Sequence, residues 1–393
     1  MSPPVPAEVM QLNSQAVQAM ASRQLGAARQ LLLRALELDP KFLPGWMNLA
    51  ATRRAEGDLA GAMAAVDAAL KVDPMAFMAL LMRASLFEAM GKRRKAANAY
   101  NIALGLTPSE NKLDPATRRA VAHGLEFHAR HAAELDSFLK QTLFADRVSG
   151  PSAEARRMRH FVDHLLGKRR PFRSEPTNFF YPGLPSIEFF DREYFPWLPE
   201  LEAATPMIQA ELAGVLDDEV AAAELEPYMQ RNEDEPLEQW VELNRSARWS
   251  AYHFALYGRA YESHRRKCPF TAALLDRMPQ PSIPDRSPAS LFSILDPHTH
   301  IPAHNGAANI RLLCHLPLIL PPDCRFRVGN ETRQWRIGEA FLFDDTIEHE
   351  AWNDSDQRRA VLIFDVWHPL LSADERDFVT RAMTALDEFN AME

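Results

Sequence analysis

Two histidines and an arginine carry the first chemical signal in this chain. His304 and His349 lie 45 residues apart within a run of alternating apolar segments, and Arg359 follows ten residues after the second. An imidazole nitrogen is a good ligand for Fe(II), and a guanidinium grips a carboxylate through two parallel hydrogen bonds. The trio therefore suits an iron ion beside a 2-oxo acid. Arg359 runs into Ala360-Val361-Leu362-Ile363, so it belongs to a buried strand, where its charge needs a carboxylate partner.

The elements that must position these groups are short strands. Downstream of Ser287 the pattern predicts strands over 291–295, 310–320, 324–328, 339–343, 349–352 and 360–366, with a hairpin turn at Gly329-Asn330. Helix-length periodicity is missing from this region. A β-sandwich or jelly roll follows, and inward-facing side chains of its two sheets can converge on one cavity.

Three stretches sharpen this reading. His304-Asn305-Gly306-Ala307-Ala308-Asn309-Ile310-Arg311, then Phe343-Asp344-Asp345-Thr346-Ile347-Glu348-His349-Glu350-Ala351-Trp352, and finally Phe364-Asp365-Val366-Trp367-His368-Pro369 resemble the signature motifs of the aspartyl/asparaginyl β-hydroxylases. The resemblance covers about Phe179 to Pro369 and is strongest from Ser293 onward. It implies a double-stranded β-helix that uses Fe(II), 2-oxoglutarate and O2. By the same resemblance His304 and His349 are the iron ligands, Ser293 and Arg359 hold the distal carboxylate of 2-oxoglutarate, and His315 lies near its other end.

The chain departs from the broader pattern twice. Most non-haem iron oxygenases place a carboxylate two residues after the first histidine, whereas Gly306 stands here; the resemblance to the peptidyl-aspartate hydroxylases implies a two-histidine centre with water in the empty position. Leu313 stands where the peptidyl-aspartate enzymes carry an arginine, so Arg311 lacks its companion. The implied activity is hydroxylation of an unactivated C–H bond, on a peptidyl residue, with release of succinate and CO2. A lipid acyl chain is an alternative substrate, and a catalytically inactive interaction protein is an alternative role. Arg311, Arg248 and Arg259 are candidates for substrate binding. His298 and His300 alternate on one strand face and could themselves bind metal. A Ser/His/Asp hydrolase is excluded, because no Gly-x-Ser-x-Gly elbow occurs.

The first hundred residues are of another kind. Leu38-Asp39-Pro40, Val72-Asp73-Pro74 and Leu106-Thr107-Pro108 recur every 34 residues, and alanines recur in register at 16, 50 and 84, at 28, 62 and 96, and at 35, 69 and 103. Gly57 and Gly91 mark the turn between two helices. Residues 7–108 resemble three tetratricopeptide repeats, which implies a groove able to take a peptide or protein partner, or a brace for the second domain. Residues 109–170 read as a helical cap and linker, with Val121, Leu125, Ala129, Ala132, Leu135 and Leu139 on one apolar face. Residues 171–393 read as the oxygenase domain. Within it, helices are expected over 199–216 and 270–278, a strand over 249–257, and a terminal helix started by the Ser372-x-x-Glu375 capping box. The expected class is α+β: a helical solenoid followed by a jelly roll with flanking helices.

Bulk properties agree with an ordinary globular protein. The 393 residues are 47% apolar and carry a net charge of -9, so no general attraction to nucleic acid or anionic lipid is expected. The basic cluster from Arg156 to Arg173 reads as a solvated face. Three cysteines, Cys268, Cys314 and Cys324, without Cys-x-x-Cys spacing argue against a disulfide framework or structural zinc. A cytoplasmic location is expected: the start lacks a signal sequence, and no apolar run reaches the roughly 18 residues of a membrane span.

Overall fold

The 34-residue period becomes three helix hairpins: α1 (Ala7–Ala21) with α2 (Leu25–Leu38), α3 (Leu43–Ala55) with α4 (Leu59–Val72), and α5 (Phe77–Ala89) with α6 (Arg93–Leu104). The structure, a computed structural model, describes residues 5–109, 113–144, 152–232 and 234–392. The nine in-register alanines all have zero exposure. Each removes a side chain where two helices cross, and Leu32, Val66 and Tyr100 fill the space between hairpins. Gly57 and Gly91 adopt φ of 83° and 71°, and the same place in the first repeat is held by Arg23 at φ 57°. A β-carbon is disfavoured in that left-handed region, which is why glycine marks the second and third turns, while the first forms around Arg23 without that signal.

A long helix, α7 (Pro115–Phe144), follows, and then α8 (Ala153–Leu165). The first part of α7 packs on the core of the repeats through Ala120, Val121 and Phe127, and Glu134 further along pairs with Arg93, while Leu125 and Leu135 are 55% and 40% exposed. The apolar face expected over its whole length is therefore not buried as a unit. The ends of that expectation, at 110–112 and 145–147, and the linker through 151 lie outside the described residues.

The chain divides into two compact units, Met1–Leu166 and Gly167–Glu393. The second begins with helices α9 (Leu198–Ala203), α10 (Thr205–Leu216) and α11 (Glu219–Ala223), then β1 (Glu226–Pro227), β2 (Trp249–Leu256), β3 (Arg259–Ala260), α12 (Glu262–Lys267) and α13 (Pro269–Leu275). Next come β4 (Ser290–Leu295), β5 (Thr299–His304), β6 (Arg311–Ile319), β7 (Cys324–Val328), β8 (Glu331–Arg333), β9 (Phe341–Phe343), β10 (His349–Asn353), β11 (Arg359–Trp367) and α14 (Ala373–Asn390). One antiparallel sheet runs β1-β2-β4-β11-β6-β9 with β3 beside β2, and a second runs β5-β10-β7-β8. Helical repeats and antiparallel sheets give the expected α+β class, and the paired sheets are compatible with a jelly roll.

Strand alternation sorts the large sheet into two buried faces. Phe292, Ile294, Leu312, Cys314, Leu316, Leu362 and Phe364 face a core shared with Leu201, Ile208, Leu212 and Leu274. Leu291, Ser293, Leu313, His315, Arg359, Ile363 and Asp365 stand at the intervening positions. Because neither face meets water, the strands read as nearly continuous apolar runs. The expected helix over 199–216 is broken in two, since Pro206 cannot donate the hydrogen bond that would carry one helix through and instead starts α10. The expected strand over 339–343 shortens to β9, and the strand expected at His298 and His300 becomes β5, which runs on to His304. The capping box forms as expected. Among the described residues no helix is long and apolar enough to cross a membrane.

Arg23→Gly removes the side chain from an exposed left-handed position. Stability should rise by about 1 kcal/mol in urea denaturation followed by helical circular dichroism.

Candidate functional site

The inward faces of the two sheets enclose a cavity of about 200 Å³ that His304, His349, Ser293, His315, Arg311 and Arg359 all line. Strand register brings the histidines together. His349 on β10 is the direct cross-strand partner of His304 on β5, and the two rings stand 4.0 Å apart between centroids. Each imidazole is turned by its own backbone: Nδ1 of His304 bonds the carbonyl of Pro302 at 2.8 Å, and Nδ1 of His349 bonds that of Ile347 at 3.0 Å. A carbonyl can only accept, so Nδ1 carries the proton in both rings and Nε2 keeps its lone pair. Burial holds His304 down to about 3, with the neighbouring His349 adding to the shift, and burial holds His349 down to about 4. Both are neutral at pH 7, as metal ligation requires.

Among the described residues Arg359 is the largest fully buried side chain, at 1% exposure, and none of their carboxylates pairs with it. Nη2 donates to Ser293 Oγ at 3.4 Å, Nε has no partner, and one face of the guanidinium lies 4.6 Å from the Trp335 ring. Burial without an anion lowers its pKa to about 10. His315, across the strand pair from Ile363, is likewise buried, is held neutral by that burial and by Arg359, and leaves Nδ1 unpartnered. Orphaned buried donors cost about 1–3 kcal/mol each, so this end of the cavity has the polarity of a site shaped for an anion.

The other end has the opposite character. Arg311 Nη2 lies 3.3 Å from Asp345 Oδ2, and its Nε lies 4.0 Å from Asp365 Oδ2. Burial opposes the Arg311 charge, but the two acids outweigh it and raise its pKa. Asp365 is further held by Ser287 Oγ at 2.7 Å and Ala289 N–H at 3.0 Å. Burial raises both acids, and Asp344 beside them rises to about 7. Arg311 Nη1 and Asp345 Oδ1 remain without partners. Between the two polar ends lie Leu291, Leu313 and Ile363.

Asp345 was not singled out from the sequence, yet it occupies the space beside Gly306. A β-carbon at 306 would come within 2.0 Å of Asp345 Oδ2, and Gly306 N–H donates to the Asp345 carbonyl at 2.6 Å. Trp249, Trp240, Tyr228 and Trp335 were also missed, because isolated aromatics in a sequence carry no sign of what they face. Two candidates do not reach the cavity. Arg248 is exposed and bonds the carbonyl of His298, and the exposed Arg259 pairs with Asp285. His298 pairs with Asp356, and His300 pairs with Glu350 while stacking on Trp352. Among the described residues no three metal-binding side chains cluster.

Fold and cavity define a two-sheet protein with a recessed polar site, and comparison with known proteins supplies its family. Residues 202–369 match the family described as Aspartyl/Asparaginyl beta-hydroxylase. The chain is 34% identical over 202 residues to an ornithine lipid ester-linked acyl 2-hydroxylase from Rhizobium tropici, covering 51% of this chain and 67% of that protein. It is 37% identical over 135 residues to human aspartyl/asparaginyl beta-hydroxylase, covering 34% of this chain and only 18% of the human protein. A solved structure of the Sgt2 TPR domain from Aspergillus fumigatus is 24% identical with a TM-score of 0.29, covering 34% of this chain and 83% of that one. The chain belongs to the aspartyl/asparaginyl beta-hydroxylase family.

Arg311→Met strands two buried carboxylates. It should destabilise the protein by roughly 3–5 kcal/mol in thermal or denaturant unfolding at neutral pH. The deficit should shrink as pH falls through the raised pKa values of Asp345 and Asp365, since protonation removes the uncompensated charge.

Proposed function

We propose that this chain is an Fe(II)- and 2-oxoglutarate-dependent hydroxylase of an unactivated C–H bond. The observation that carries this reading is the cross-strand histidine pair, each ring fixed by its own main chain so that two bare Nε2 atoms share one cavity with a buried, anion-free arginine. The donor set fits: His304 and His349 would hold the iron, with Arg359 and Ser293 taking the distal carboxylate of 2-oxoglutarate and His315 near its other end. Iron with 2-oxoglutarate and O2 supplies the oxidising power to hydroxylate an inert carbon, releasing succinate and CO2.

The chain's own residues supply placement and dryness. Trp240 meets the His304 ring edge-on at 5.0 Å, and Phe326 and Phe343 pack against His349, so the imidazoles cannot swing away. Leu291, Leu313 and Ile363 keep water from the path between the two polar ends. Asp345, beside Gly306, puts a carboxylate oxygen where a ligand carboxylate would otherwise start, and its Oδ1 is left without a protein partner.

For the substrate, a peptidyl residue is the leading reading, delivered with help from the helical repeats. An aspartyl side chain is the less suitable form. Arg311 is already matched by Asp345 and Asp365, and Leu313 offers no second cation. The apolar wall of Leu291, Leu313 and Ile363 favours a second reading, an acyl chain, in keeping with the name of the Rhizobium relative. Three free, buried cysteines suit a reducing, cytoplasmic setting.

Purified protein given Fe(II) and 2-oxoglutarate with candidate peptides or acyl esters should form succinate, and His304→Ala or His349→Ala should lower that rate at least about 100-fold; unchanged rates in both variants sink the reading. Gly306→Asp should not restore a third ligand. Its side chain collides with Asp345, and a loss of about tenfold or more in iron affinity is expected by metal titration.

A further inference from the structure

The hydroxyl of Ser293 is not free to choose its direction. Trp249 Nε1–H donates to Ser293 Oγ at 3.1 Å, and Arg359 Nη2 donates to the same oxygen at 3.4 Å. Neither an indole N–H nor a guanidinium can accept, so the serine accepts from both and its one proton must go to a third group. Its cross-strand neighbours offer nothing: Ser293 stands between Ala251 on β2 and Val361 on β11, with Leu291 and Leu295 two residues away along β4. Ser293 has zero exposure to bulk water, and the cavity is the side left open.

We propose that Trp249 is a positioning residue of the oxo-acid site, which holds Ser293 as an obligatory donor so that serine and Arg359 together present only N–H and O–H groups to one carboxylate. This rests on the 2-oxoglutarate reading above. Without the indole N–H, the serine could turn its proton elsewhere and offer a lone pair to the incoming anion. The indole is itself immobilised. Tyr228 stacks on it at 3.9 Å and 14°, and Trp240 at 6.1 Å and 25°. Trp240 also abuts His304, so one aromatic stack backs the serine and the first histidine. On the far side, Trp335 fixes the plane of the Arg359 guanidinium.

Calorimetric titration of the full chain with Mn(II) tests the idea, using 2-oxoglutarate and 2-oxobutyrate, which keeps the 2-oxo acid but lacks the distal carboxylate. Trp249→Phe retains a ring and removes only the donor. It should weaken 2-oxoglutarate about tenfold, leave 2-oxobutyrate unchanged, and have no further effect in a Ser293→Ala background. Equal weakening of both acids, full additivity with Ser293→Ala, or wild-type affinity for 2-oxoglutarate overturns the proposal. Should the variant not fold, the unmutated chain labelled with 15N-tryptophan gives a second measurement. The indole N–H resonance that Ser293→Ala displaces should shift with 2-oxoglutarate and stay fixed with 2-oxobutyrate, and a resonance indifferent to both overturns the proposal. If wild-type protein binds no 2-oxoglutarate at all, the functional reading itself fails and this inference falls with it; binding by wild type with no effect of Trp249 removes the inference alone.

Discussion

A guanidinium cation buried without an anion is the constraint around which the second unit is built. Isolated charge in a protein interior is costly, and among the described residues Arg359 is relieved by a long hydrogen bond to Ser293 and the face of Trp335. The two sheets must therefore be stable enough to hold it there. Their strength comes from the opposite face of the large sheet, where Phe292, Leu312, Leu316, Leu362 and Phe364 close on α9, α10 and α13. Packing against the helices and lining of the cavity thus fall to alternate residues of the same strands.

The two arginines of the cavity illustrate how identical side chains acquire different tasks. Arg311 is matched by Asp345 and Asp365 and is raised in pKa, whereas Arg359 has no acid and is lowered. They are separated by Leu291, Leu313 and Ile363, so neither arginine's partners can neutralise the other. An anion entering this cavity has one unmatched cation to meet, and the apolar belt gives it a direction.

Much of this was legible in the sequence where a physical requirement repeats. The alanine register of the helical hairpins could be read because each crossing excludes the same volume three times. The alternation of the late strands could be read because the pleat has a period of two. The pairing of His304 with His349 could not be derived from spacing, since β5 has a weak strand signal and its register with β10 depends on distant elements. Where Arg248 and Arg259 point could not be read for a related reason: an arginine near a strand end looks the same whether it turns inward or, as here, pairs at the surface. Asp345 and Trp249 were invisible because their meaning lies in what they touch, Gly306 in one case and Ser293 in the other.

The histidine pair is oriented by main-chain carbonyls two residues upstream, Pro302 and Ile347, and not by partner side chains. Such partners exist whatever residues stand at those positions. The hydrogen bond that fixes each tautomer is therefore insulated from most point mutations, whereas the aromatic side chains packed on the rings are not. Residues of the cavity wall such as Leu313 can therefore change without disturbing the main-chain partners of the histidine pair.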